Sequence, residues 1–119
     1  MRGNQLFIME ITNRPVEPAK VVLFEIMEHG TQIARGRLCV IHNDLHKEPF
    51  GLMEDVFVHE DHRGSGLGKK IIDAIIQMAK DAGCYKLIAT SRTDRPKLHM
   101  YYKKLGFEIH GLEFRMDFN

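Results

Sequence analysis

A long apolar run is missing at the start of the sequence: the run from Leu6 is broken at Glu10, too short for a signal h-region or a membrane span, so export is not expected. Nor does either sign of charge dominate. Seventeen Lys and Arg stand against sixteen Asp and Glu, so no global field draws the protein to nucleic acid or to a membrane, and any anion must be met by a local site. The only cysteines, Cys39 and Cys84, lie in apolar, strand-like stretches without a C-x-x-C spacing. That argues against a disulfide scaffold or a redox pair and predicts buried, reduced thiols in a cytoplasmic setting. The pairs His42/His46 and His59/His62 have no third ligand at a recognised spacing, so no metal centre is expected. Internal repeats and low-complexity segments are also missing.

What remains is the composition of an ordinary globular protein, 44% hydrophobic and 28% charged over 119 residues. That length suits one domain spanning residues 1–119, since two cores would each bury too little surface to offset chain entropy. The pattern along the chain predicts a first strand over Leu6–Ile11, closed by a turn containing Pro15 and Pro18. Two β-rich runs, Lys20–Glu28 and Gln32–Ile41, flank His29-Gly30-Thr31 and read as an antiparallel hairpin. A polar loop over His42–Phe50 leads to a strand over Gly51–His59. From Leu67 the period becomes helical, with Ile71, Ile75, Met78 and Ala79 on one stripe and Gly83 as the stop. Tyr85–Thr90 reads as a strand, Pro96–Leu105 as a shorter helix and Phe107–Phe118 as a final strand region kinked at Gly111. The expected fold is a mixed α/β domain with a mostly antiparallel sheet and flanking helices.

The chemically informative stretch is the strand Glu54-Asp55-Val56-Phe57-Val58 followed by Arg63-Gly64-Ser65-Gly66-Leu67-Gly68-Lys69. A strand ends there and a glycine-rich turn opens straight into a helix. Unpaired N–H groups at a helix start face outward with the positive end of its dipole, and glycines let a diphosphate approach the backbone. A P-loop is excluded because G-x-x-x-x-G-K-[ST] is absent. A Rossmann turn is disfavoured because these glycines follow an antiparallel meander and no acidic residue caps a second parallel strand. The bland alternative is a tight turn that packs a helix closely on a sheet.

Arg63-x-x-Gly66-x-Gly68 after this strand resembles the acyl-coenzyme A signature of the GNAT superfamily of N-acetyltransferases. Arg95 to Phe107, ending Tyr101-Tyr102-Lys103-Lys104-Leu105-Gly106-Phe107, resembles the family's second characteristic block. The likeness covers roughly residues 20 to 118 and is strongest to small-amine, spermidine/spermine-type enzymes. It implies a GNAT-like sheet, acetyl-CoA as cosubstrate, and acetyl transfer to a primary amine, small molecule or peptide, by direct attack in a ternary complex. By the same resemblance Arg63, Gly64, Ser65, Gly66, Leu67, Gly68 and Lys69 hold the pyrophosphate. A backbone N–H among Val56, Phe57 and Val58 meets the thioester carbonyl. Glu54 becomes the base and Tyr102 the acid. Where the family often has Asn, this chain has Arg95, expected to reach a cofactor phosphate.

Other readings stand beside these roles. Glu54 also reads as a charged strand residue paired with a nearby Lys or Arg, on the face opposite to Asp55 by strand alternation. Tyr102 also reads as a packing residue, as does Tyr101, and His99, which resembles a histidine of some small-amine acetyltransferases of this family, reads equally as a core or capping histidine. The family usually carries two helices between its first and second strands, and Thr12–Ala19 has no room for both. Val22, Phe24 and Leu38 are then expected to be exposed, and a homodimer to cover them. The shortened half also leaves open a catalytically silent acyl-CoA-binding regulatory module, or a phosphate-binding domain unrelated to acyl transfer.

Overall fold

The computed structural model describes residues 11–16 and 18–119. The expected first strand lies, apart from Ile11, outside them. The order is β1 (Lys20–Glu28), β2 (Thr31–Ile41), β3 (Phe50–Val58), a 3₁₀ turn at Glu60–His62, α1 (Leu67–Asp81), β4 (Leu87–Ala89) and α2 (Pro96–Lys104). The four strands form one sheet in the order β1-β2-β3-β4, antiparallel for the first two pairs and parallel for β3 with β4. This is the mixed, mostly antiparallel sheet that the pattern predicts.

β1 and β2 are joined by His29 and Gly30, both at positive φ, in the tight hairpin turn whose backbone twist matches the strands. α1 crosses from β3 to β4 on one face of the sheet, and its Ile71, Ile72, Ile75 and Ala79 pack on Ala34, Leu38, Val40 and Met53. The helix comes this close because β2 has Gly36 beneath it. A Cβ there would lie 2.6 Å from Ile71 Cγ2.

Both helices stop in the same way. Cys84 N–H donates to Ala79 O and Gly83 N–H to Lys80 O at the end of α1. Phe107 N–H donates to Tyr102 O and Gly106 N–H to Lys103 O at the end of α2. These are paired Schellman closures.

Two expectations are corrected. Val22, Phe24 and Leu38 are not the exposed set: Leu38 is fully buried, and Val22 and Phe24 are half-buried on the α1 side. Pairing puts Val21, Leu23 and Met27 on the open face instead, because side chains alternate and α1 covers only one side. The second correction concerns Phe107–Phe118, which forms no strand. β4 is three residues long and pairs only with β3, and no other described strand offers this segment a ladder. Its backbone therefore runs unpaired, with Ile109, Leu112, Phe114, Met116 and Phe118 exposed. Among the described residues, no helix is long and apolar enough to cross a membrane.

Candidate active site

The site begins where the sheet comes apart. β3 and β4 are paired only from Gly51 with Leu87 to Met53 with Ala89. Beyond that point Glu54–Val58 stays bonded to β2 on one edge and is open on the other. The result is a fork in which the edge of β3 away from β2 has no strand partner beyond Met53.

At the end of β3 the chain turns through Glu60–His62 and enters α1. Arg63 Nε donates to the Val58 carbonyl at 2.9 Å, which ties the turn to the strand, and Ser65 Oγ donates to the His62 carbonyl within the turn. Gly64 and Gly66 adopt φ of 82° and 84°, left-handed values that cost other residues about 1–2 kcal/mol. Gly66 is the N-cap, with no side-chain cap bond, and no acidic residue occupies the first turn of α1. No side chain caps the first amides of the helix.

A groove of about 540 Å³ lies between the fork and this turn, lined by Val56, Phe57, Val58, Arg63 and Arg95. Five residues singled out from the sequence thus meet in one place, with two cations and no carboxylate. Arg95 arrives from the N-cap of α2. The side chain of Lys69 turns away, bonded at 2.6 Å to Asp73 one turn along α1, a pairing that raises its pKa.

The two residues proposed for proton transfer do not line this groove. Glu54 lies two positions before Val56, its carboxylate 4.0 Å from Cys39 Sγ. Burial, then Glu54, pushes the Cys39 thiol up, so it stays protonated and uncharged at neutral pH. Tyr102 is half-buried against the core cluster, with its ring 5.4 Å from that of Phe107 across the α2 closure. Burial raises its pKa first, Tyr101 adds to the rise and Arg95 opposes it, so the phenol keeps its proton near neutrality. His99 is committed to a bond of 2.8 Å between Nε2 and the Arg92 carbonyl.

One feature escaped the sequence pattern. Gly36 faces both Asp55 and Val56, because the register passes from Arg35↔Phe57 to Arg37↔Glu54 across a bulge. Asp55 takes φ of 57° there. Its carboxylate accepts from Arg35 Nε at 2.8 Å and from Arg37, which holds its pKa below the usual range. Glu54 and Asp55 therefore share the open face, contrary to simple alternation. The one sequence signal was the acidic pair itself, set against two arginines on the preceding strand.

The model of the acetyltransferase (GNAT) family matches residues 6–107, and the chain belongs to that family. It is 40% identical over 67 residues to a glucosamine 6-phosphate N-acetyltransferase of Trypanosoma brucei brucei, covering 56% of this chain and 44% of that protein. It is 32% identical over 66 residues to an aminoglycoside N(6')-acetyltransferase type 1 of Stenotrophomonas maltophilia, covering 56% and 43%. The crystal structure of glucosamine-6-phosphate N-acetyltransferase from Arabidopsis thaliana superposes with a TM-score of 0.76 at 27% identity, over 83% of this chain and 67% of that one. The matched segment spans under half the length of these curated relatives.

Proposed function

We propose that this protein is an acetyl-CoA-dependent N-acetyltransferase acting on a primary amine. The observation that carries the reading is the groove in which the open edge of β3 meets Arg63 and Arg95 beside the uncapped start of α1. Acetyl-CoA supplies an activated thioester. The chain's part is to hold the diphosphate on the amides after Arg63, with Gly64, Ser65, Gly66, Leu67, Gly68 and Lys69 forming the cradle. An amide of Val56–Val58 meets the carbonyl where negative charge develops.

An amine of pKa near 10.4 is mostly protonated at neutral pH, and in this reading Glu54 takes that proton. Tyr102, which burial keeps protonated, returns one to the departing thiolate. The relatives named for amino-sugar acceptors support an amine acceptor of that general class.

The exposed Val21, Leu23 and Met27, together with the uncovered apolar residues of 107–118, support self-association into a homodimer. Free Cys39 and Cys84 accord with a cytoplasmic location.

Release of free thiol from acetyl-CoA across a panel of amines tests the activity. Glu54→Gln and Tyr102→Phe should each lower kcat by about 100-fold, with cofactor affinity nearly unchanged. Full turnover in both variants removes the assigned roles. Tight binding of coenzyme A with no turnover on any amine replaces the enzyme with a silent binding module.

A further inference from the structure

Glu54 stands directly across the sheet from Arg37 in the β2–β3 register. Opposite charges at facing positions on adjacent strands normally pair. Here they do not: Arg37 Nη1 donates to Asp55, and Glu54 makes no ion pair among the described residues. The bulge makes this possible. It inserts Asp55 beside Glu54 on the same face, and Asp55 engages Arg35 through both Nε and Nη2, at 2.8 and 3.2 Å, as well as Arg37.

From this geometry we infer that Asp55 is a positioning residue which draws Arg37 away from Glu54 and so keeps the catalytic carboxylate free to accept a proton. The inference rests on the reading of Glu54 as the base.

The charged and titratable groups around Glu54 are few. β2 contributes Arg37, Arg35 and the protonated Cys39. Farther out on β1, Glu25 faces Arg35 in register and accepts from Gln32. β4 contributes only Leu87, Ile88 and Ala89, and α1 packs on the other face. Arg37 is thus the cation best placed to capture Glu54 once Asp55 lets it go. A carboxylate held by a guanidinium is a weaker base and has its lone pairs occupied.

Asp55→Asn is the decisive substitution, since Asn tolerates the left-handed backbone at this position and can keep the bulge while losing the charge. The expected result is a kcat about 10-fold lower at neutral pH and an acidic limb of the pH–rate profile moved down by about one unit, with KM for acetyl-CoA unchanged. Adding Arg37→Met to Asp55→Asn should restore both kcat and the profile to within about 2-fold of the parent. Titration of the Glu54 carboxyl by NMR should show the same downward move in Asp55→Asn and its reversal in the double variant, without reference to turnover.

A loss in Asp55→Asn that Arg37→Met does not rescue, or a profile that stays in place, overturns the inference. Glu54→Gln separates that failure from the other. If Glu54→Gln abolishes turnover while Asp55→Asn leaves the profile unmoved, only the role of Asp55 is lost. If Glu54→Gln keeps full kcat, the base assignment falls and takes this inference with it.

Discussion

The unit from β3 through the glycine turn to α1 and the region from α2 onward are built on different terms. In the first, Ile71, Ile72 and Ile75 are buried on β2 and β3, Gly36 lets the helix approach closely, Arg63 bonds the turn to the strand and Ser65 bonds within the turn. In the second, α2 has no buried residue, its anchor to the core is the side of Tyr101, Tyr102, Leu105 and Phe107, and the segment after it is exposed throughout. The comparison teaches that the glycine turn is fixed by the core itself, whereas Tyr102, proposed as the acid, hangs on one helix end.

Several substitutions would break or sharpen this contrast. Ile75→Ala, at a fully buried position under β2, should cost about 3–4 kcal/mol in chemical denaturation. A loss under about 1 kcal/mol would mean that α1 is not the keystone described. Gly66→Val puts a β-branched residue at φ 84° and should destabilise by about 1–2 kcal/mol while weakening acetyl-CoA binding about 10-fold by calorimetry. Arg95→Ala should raise the Kd for coenzyme A about 5- to 10-fold through a lost charge-assisted contact, with thermal stability preserved. At the bottom of the scale, Phe114→Ser on the exposed segment should change monomer stability by less than about 0.5 kcal/mol. A larger effect that depends on protein concentration would instead show that this segment is covered in an assembly.

Acid adds a further contrast on the open face. The pKa of Asp55 is lowered by Arg35 first and Arg37 second. Its contribution to stability is therefore present above the unfolded value near 3.9 and is lost as pH falls through the folded one. Asp55→Asn should flatten that acid dependence below about pH 4 and lower stability at pH 7 by the same amount, which is small because the pair is exposed to solvent.

The hairpin was legible because Gly30 sits between two runs of β-branched residues, and α1 because its apolar stripe starts after Gly66 and stops at Gly83. The groove was legible for the same reason: strand, glycines and arginines are contiguous, so local sequence fixes their geometry. Arg95 is the exception, since its arrival depends on how α2 docks. What periodicity missed depends on tertiary placement. The parity of β1 relative to α1 decided that Val21 and Leu23, not Val22 and Phe24, face solvent. The bulge at Asp55 shifted parity midway along β3, and the apolar alternation of 107–118 marked strand propensity without a partner to pair with.

The seam between β3 and β4 holds only three residue pairs, from Gly51–Leu87 to Met53–Ala89. It is the thinnest join in the sheet, and so the place where the sheet should unzip first. Amide protons of residues 87–89 should exchange with solvent faster than those at the middle of β2. A molecule that bridges the two diverging edges adds rungs above the seam, so deuterium uptake at these few amides becomes a gauge of occupancy that needs no turnover.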